Sequence, residues 1–141
     1  MNKGIVIVIS GPSGSGKGTV VEQLRKIYPN AGVSVSATTR QKRTGEVDGV
    51  HYHYKSREEF EKLIESGEVL EHTTYNGNYY GTLRSEAEKI VNSGRDLILE
   101  IEVDGAGQIK KLLGDECTAV MLIDLRRRAK KSALHRCMTI S

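Results

Sequence analysis

Apolar and mixed segments alternate along the chain in a regular order. Residues 4–9, 97–103 and 117–123 are nearly continuous apolar runs, which is typical of strands buried on both faces of a sheet. Residues 20–28 instead carry apolar side chains on one helical face, and Asp104 is placed to cap a helix that runs to Leu113. Strands that alternate with helices predict an α/β fold with a mainly parallel sheet covered on both sides.

A shorter and more polar pattern interrupts this order between residues 36 and 82. Ser56 and Glu59 form a capping box, and Asn76-Gly77 is a strong signal for a hairpin turn. The segment therefore predicts a small β-rich insertion beside the carboxyl ends of the parallel strands, where open α/β sheets bind ligands. The remaining predicted elements are short strands at 33–39, 51–54, 69–72 and 78–81, a helix that begins after Ser56 and stops near Gly67, and a helix over 83–93.

A glycine-rich turn joins the first strand to the first helix. Strand, glycine-rich turn, lysine and helix in this order predict a P-loop, in which backbone N–H groups and the helix N-terminus surround phosphate groups. Lys17 supplies a mobile charge for the outer phosphates. Gly18 stands where Ser or Thr usually provides a hydroxyl ligand for magnesium, so the motif does not identify the residue that supplies this hydroxyl. The motif predicts a P-loop NTPase core, with these residues binding the nucleotide: Gly11, Pro12, Ser13, Gly14, Ser15, Gly16, Lys17, Gly18 and Thr19.

The insertion concentrates side chains suited to a second phosphorylated ligand. Arg40 and Arg43 lie three residues apart in a predicted loop, so their guanidinium groups can clamp one phosphate. A carboxylate such as Glu71 can accept from the two adjacent N–H donors of guanine, and the hydroxyl of Thr82 can donate to its carbonyl. Hydroxyl groups that could complete the phosphate site come from Ser36, Tyr52 and Tyr80. Together with the P-loop, these residues predict a nucleoside monophosphate acceptor.

Charge and composition narrow the class of protein. The net charge of +3 arises in residues 125–141, which hold six basic and no acidic residues, so that residues 1–124 carry a net charge of −3. A single Phe and no Trp disfavour an aromatic platform for nucleic acid, and no apolar run is long enough to span a membrane. The two cysteines, Cys117 and Cys137, have neither metal-site nor disulfide spacing, which indicates a reduced, cytoplasmic protein without a structural metal.

These motifs together resemble the guanylate kinase family over about residues 3–123. The matching segments are Ser-Gly-Pro-Ser-Gly-Ser-Gly-Lys-Gly-Thr at 10–19, Val-Ser-Ala-Thr-Thr-Arg at 35–40, Gly-Asn-Tyr-Tyr-Gly-Thr at 77–82 and Gly-Arg-Asp-Leu-Ile-Leu-Glu-Ile at 94–101. The resemblance implies phosphorylation of GMP by ATP with Mg²⁺, with Lys17, Arg40 and Arg43 as catalytic residues. It implies a GMP site built from Ser36, Arg40, Arg43, Tyr52, Glu71, Tyr80, Thr82 and Glu102. The implied division is a nucleotide-binding core at 1–35 and 83–124, a GMP-binding insertion at 36–82 and a divergent basic tail at 125–141.

The chain departs from the family pattern in two places. Glu102 and Asp104 stand where the family typically has Asp and Gln, which lengthens one base-reading side chain and adds a negative charge. Beyond Ile123 the sequence lacks the family's arginine-bearing lid pattern, so we expect GMP binding with impaired turnover. Two alternatives stay open: a non-catalytic guanylate-kinase-like module that holds phosphorylated peptide or protein, and a kinase for another phosphorylated acceptor. The oligomeric state is also open.

Overall fold

The computed structural model describes residues 3–12, 14–114 and 117–121, and only the backbone of the last segment. It contains two four-stranded sheets and four helices in these residues. In chain order the elements are β1 (Val6–Ser10), α1 (Lys17–Ile27), β2 (Gly32–Val33), β3 (Ala37–Thr38), β4 (His53–Tyr54), α2 (Arg57–Glu65), β5 (Val69–Tyr75), β6 (Asn78–Leu83), α3 (Arg84–Asn92), β7 (Leu97–Ile101), α4 (Val103–Leu113) and β8 (Cys117–Met121).

The first sheet is parallel throughout, with strand order β2-β7-β1-β8. Successive side chains of β1 enter different apolar clusters: Val8 packs with residues of α3 and α4, and Ile9 packs with Val21 of α1. Because neighbouring strand residues point to opposite faces, helices cover this sheet on both sides. This arrangement confirms the predicted α/β core with a parallel sheet.

The second sheet has the order β4-β3-β6-β5 and mixes parallel and antiparallel pairs. Its hairpin turns at Asn76 and Gly77, whose φ angles are 48° and 75°, as the Asn-Gly signal predicts. The capping box of Ser56 and Glu59 is present, and α2 places the buried ring of Phe60 under the sheet, stacked 5.1 Å from the ring of Tyr79. The predicted β-rich insertion is therefore a separate small sheet with its own apolar core.

Some predicted boundaries are wrong. The single strand expected at 33–39 is two strands, because β2 pairs with β7 of the first sheet and β3 pairs with β6 of the second. Helix α4 begins at Val103 with Glu102 as its N-cap residue, so Asp104 lies in the first turn and is not the cap. Strand β7 correspondingly ends at Ile101.

Residues 122 and 123 of the last predicted strand and the basic tail lie outside the described residues. Within the described part of the chain, no helix combines the length and apolar character needed to cross a membrane.

Candidate active site

The loop between β1 and α1 has the backbone that its glycines predict. Gly14 and Gly16 have φ angles of 78° and 93°, in the left-handed region that side chains other than glycine rarely adopt. Gly16 precedes α1 as its N-cap residue without a side-chain cap, and the Ser15 hydroxyl is buried without a partner among the described residues. Exposed N–H groups at a helix N-terminus and an unpaired hydroxyl suit a phosphate group.

Lys17 is folded back over this loop. Its ammonium group donates to the carbonyl oxygens of Gly11 and Pro12 at 2.8 and 3.2 Å and to Oε1 of Glu102 at 3.2 Å. Lys17 is buried, whereas the Glu102 side chain is about half exposed. The lysine is therefore held at the mouth of the loop by one anionic partner that a ligand phosphate could replace.

A cleft of about 670 Å³ lies between the two sheets. It extends from the P-loop lysine to the second sheet and brings six of the predicted site residues to one space: Lys17, Ser36, Tyr52, Glu71, Tyr80 and Glu102. Glu100, at the end of β7, and Asp104, in the first turn of α4, also line it. The chain crosses between the two sheets at residues 34–36, which is why residues far apart in sequence share this cleft.

Glu71 is the buried carboxylate of this cleft, with 4 % of its surface exposed. The Thr82 hydroxyl donates to Glu71 Oε1 at 2.7 Å, so in this state that hydroxyl is engaged with the carboxylate. Burial raises the pKa of Glu71, the hydrogen bonds from Thr82 oppose the shift, and the nearby charge of Asp104 adds to it. A carboxylate with so few donors of its own can accept hydrogen bonds from a ligand.

Arg40 forms a two-pronged ion pair with Glu46. Its two terminal nitrogens donate to the two Glu46 oxygens at 2.8 and 2.9 Å, and its guanidinium carbon lies 5.4 Å from the centre of the Tyr52 ring. The Arg40 guanidinium, followed by the backbone N–H of Arg43, lowers the pKa of Glu46 to about 2. The ion pair holds Arg40 beside Tyr52, a residue of the cleft wall.

Arg43 is exposed, and its guanidinium makes no hydrogen bond or ion pair within the described residues, although its backbone N–H donates to Glu46 Oε1 at 2.8 Å. Neither arginine lines the cleft itself. Thr19 is also exposed, and Ser13 lies outside the described residues.

The sequence reasoning missed Glu46 and Gln108. Glu46 accepts hydrogen bonds from Arg40 and Arg43 and so stabilises the loop that carries both arginines. Its position three residues after Arg43 is compatible with a turn, and this signal could have identified Glu46 from the sequence. Gln108 of α4 bonds to the backbone of His72 in β5, which sequence spacing alone cannot show. Two further threonines have a structural role, because both bond to the backbone of Tyr79. The Thr38 hydroxyl donates to the Tyr79 carbonyl, and the Thr39 hydroxyl accepts from the Tyr79 N–H.

A parallel sheet with a P-loop at its carboxyl edge and a facing cleft defines a P-loop nucleotide-binding protein. The guanylate kinase family model matches residues 3–131, and the chain belongs to the guanylate kinase family. This confirms the resemblance seen in the motifs.

Relatives agree with this assignment. The chain is 51 % identical over 111 residues to the guanylate kinase of Carboxydothermus hydrogenoformans, covering 79 % of this chain and 54 % of that protein. It is 56 % identical over 109 residues to the guanylate kinase of Halalkalibacterium halodurans, covering 77 % and 53 %. The crystal structure of guanylate kinase from Anaplasma phagocytophilum is similar, with a TM-score of 0.70 and 32 % identity over 87 % of this chain and 61 % of that one. The chain thus spans about half the length of the curated relatives it matches.

Proposed function

We propose that this chain transfers the γ-phosphoryl group of ATP to GMP, giving ADP and GDP. The observation that carries the proposal is the single cleft lined both by Lys17 of the P-loop and by the buried carboxylate Glu71. A lysine suited to phosphate and a carboxylate suited to guanine N–H donors then face one space, as a donor and an acceptor site must. The family membership of the chain supports this activity.

The residues divide into two groups in this proposal. The P-loop backbone and Lys17 bind the ATP phosphates, which replace Glu102 as the anionic partner of the lysine. Glu71, Thr82 and Glu102 read the guanine base. The GMP phosphate is held by Ser36, Tyr52, Tyr80, Arg40 and Arg43.

The reaction breaks the bond between the γ-phosphorus and the bridging oxygen to the β-phosphate. A new bond forms to a phosphate oxygen of GMP, and the electron pair of the broken bond leaves with ADP. The acceptor oxygen is already a nucleophile, so no side chain has to remove a proton. Catalysis then consists of alignment and of charge stabilisation by cations such as Lys17, Arg40 and Arg43.

Magnesium fits the donor set of the cleft. Glu100 and Glu102 offer carboxylate oxygens beside Lys17, and a Cβ at Gly18 would lie 3.5 Å from Glu100 Oε1. No cluster of three metal-ligating side chains occurs in the part of the chain that the structure describes, which suits an ion carried mainly by nucleotide phosphates. Bound there, Mg²⁺ would neutralise phosphate charge, with Glu100 as the protein ligand we propose. The predicted cytoplasmic location and the absence of a nucleic-acid partner stay predictions.

Calorimetric titration with GMP and with ATP and Mg²⁺, followed by a coupled assay of ADP release, tests the proposal. We expect both nucleotides to bind and ADP to form only when both are present. Lys17→Met should abolish turnover and weaken ATP binding, whereas Lys26→Met, an exposed lysine on the same helix, should change neither. Binding of phosphorylated peptide without ATP binding would instead support the guanylate-kinase-like binding module.

A further inference from the structure

The side-chain amide of Gln108 lies against the free edge of the second sheet. The His72 backbone N–H donates to Gln108 Oε1 at 3.0 Å, and Gln108 Nε2 donates to the His72 carbonyl at 2.9 Å. Among the described residues β5 is an edge strand of this sheet, so these two backbone groups have no neighbouring strand there to pair with. The amide of one α4 residue therefore completes the hydrogen bonding of β5 at His72.

This attachment point is next to a weak place in the strand. The register between β5 and β6 shifts between Val69 and Glu71, so Leu70 is an extra residue and the ladder is interrupted just before Glu71. Glu71 therefore lies directly after the bulge at Leu70 and directly before His72, the residue that is bonded to Gln108. Pairing with β6 alone thus constrains this part of β5 less than a regular ladder would.

The same face of α4 also touches the Glu71 side chain. Gly105, three residues before Gln108, lies so close to Glu71 that a Cβ there would overlap Oε2 and come within 3.2 Å of Cδ. Residues three apart on a helix share one face, so the face of α4 that Gln108 bonds to β5 is also the face that Gly105 presents to the carboxylate. The position of Glu71 in the cleft thus depends on how β5 is fixed to α4.

We propose that Gln108 is a positioning residue for base recognition, holding β5 against α4 so that Glu71 keeps the orientation needed to bind guanine. The inference rests on the proposed function, since it takes the guanine base as the ligand of Glu71. Two adjacent N–H donors can both bond to one carboxylate only if the carboxylate is aligned with them. Loss of the amide should therefore cost affinity for guanine and also selectivity for it.

Two substitutions separate this role from ordinary packing. Gln108→Leu keeps similar bulk and removes both hydrogen bonds to His72. Gln108→Glu keeps an acceptor for the His72 N–H but removes the donor to the His72 carbonyl and places a charge near Asp104, 3.1 Å from Nε2 in the present structure. Lys111→Ala is the matched control, because Lys111 is an exposed residue of α4 without a bond to β5.

The experiment measures Kd by calorimetry for GMP, for IMP, which lacks the 2-amino group of guanine, and for ATP with Mg²⁺. Thermal melts of each variant accompany these titrations. We expect Gln108→Leu and Gln108→Glu to weaken GMP binding about tenfold, the effect of losing one or two net hydrogen bonds. IMP binding should weaken less, so the preference for GMP over IMP contracts, while the Kd for ATP stays within about twofold and Lys111→Ala changes nothing.

Equal losses of GMP, IMP and ATP binding would overturn the inference, because they would show that Gln108 stabilises the structure without a role in base recognition. Unchanged GMP binding in both Gln108 variants would overturn it as well, while leaving the proposed function intact. If the unsubstituted chain fails to bind GMP, the proposed function and the inference fall together. If Gln108→Leu does not fold, Gln108→Glu alone decides between these results.

Discussion

Glu71 and Thr82 face each other across β5 and β6, with the Thr82 hydroxyl 2.7 Å from Glu71 Oε1. They do so because Leu70 is an extra residue in β5. In an unbroken antiparallel register Thr82 would pair with Leu70 and Glu71 with Gly81. A bulge of one residue thus decides whether the cleft contains a carboxylate bonded to a hydroxyl or an apolar side chain in its place.

The close approach of Gly105 to Glu71 predicts opposite effects for two alanine substitutions in α4. Gly105→Ala should lower GMP affinity about tenfold and reduce stability by about 1–3 kcal/mol, because the new methyl group displaces the carboxylate. Gly107→Ala, whose Cβ would meet no atom within 4 Å, should raise stability by about 0.5–1 kcal/mol and leave GMP binding unchanged. Urea unfolding and calorimetry measure both.

Helix propensity alone favours alanine at both positions, so the two variants control for each other. If Gly105→Ala bound GMP as the unsubstituted chain does, the contact with Glu71 would have no part in ligand binding.

Burial of Glu71 predicts a pH-dependent cost to stability. Its pKa is raised by burial above the ordinary 4.5, so the folded state holds this proton more tightly than the unfolded chain. The stability contributed by the protonated group is fully present below pH 4.5 and is lost as the pH rises through the folded pKa. Glu71→Gln should therefore raise the free energy of unfolding at pH 7.5 and leave it unchanged at pH 4.

Denaturant unfolding at both pH values tests this, with Glu65→Gln, an exposed residue of α2, as the control. A Glu71→Gln variant that is less stable than the unsubstituted chain at pH 7.5 would contradict the direction of the pKa shift.

The same pKa predicts how GMP binding depends on pH. Guanine needs the ionised carboxylate, so GMP affinity should fall as the pH is lowered through the raised pKa of Glu71. At pH 8 Glu71→Gln should weaken GMP binding about 10- to 100-fold, the effect of losing hydrogen bonds to a charged acceptor. The phosphate of GMP also titrates near pH 6, and the Gln variant separates the contribution of Glu71 because it lacks that carboxyl group while the phosphate titration is kept. Glu46 does not contribute to this pH dependence of GMP binding, because its pKa is about 2.

The sequence predicts the core well because its signals are local. The apolar runs, the glycine-rich turn before Lys17, the capping box at Ser56 and the Asn76-Gly77 turn each act within a few residues, and all appear in the structure. The strand split at 34–36 is not predictable in this way, since the two halves differ only in which distant strand they pair with.

The candidate site, like the core, is predictable from the sequence only where its signals are local. Residue types at Glu71 and Thr82 indicate their chemistry, but their contact depends on the bulge at Leu70, and no residue preference marks a bulge there. The bonds of Gln108 to His72 are likewise tertiary and span 36 positions of the chain, whereas the ion pair of Arg40 with Glu46 spans only six. Side-chain chemistry is readable from sequence, whereas the choice of partner is set by the fold.

The different surroundings of Arg40 and Arg43 predict unequal effects of lysine substitution. Arg40 uses two nitrogens on Glu46 and stacks near Tyr52, a geometry that a single ammonium group cannot reproduce. Arg40→Lys should weaken GMP binding about tenfold, and Arg43→Lys only about twofold, because Arg43 acts through its charge. Calorimetry with GMP measures both, and equal losses would show that the two arginines clamp the phosphate in the same way.

The capping box of α2 predicts a change in stability without a change in ligand binding. The Ser56 hydroxyl accepts from the Glu59 N–H at 3.1 Å, and a Glu59 carboxylate oxygen accepts from the Ser56 N–H at 2.9 Å. Ser56→Ala should destabilise the protein by about 1 kcal/mol and lower the Tm by about 4 °C, because the Glu59 N–H at the start of the helix loses the hydroxyl that accepts its hydrogen bond. Ser85→Ala is the matched control, because Ser85 is an exposed residue of α3 whose side chain makes no hydrogen bond within the described residues, and it should change the Tm by less than about 1 °C. Since α2 does not line the cleft, both variants should keep the same Kd for GMP, and a weakened Kd in Ser56→Ala alone would show that α2 affects the cleft from outside it.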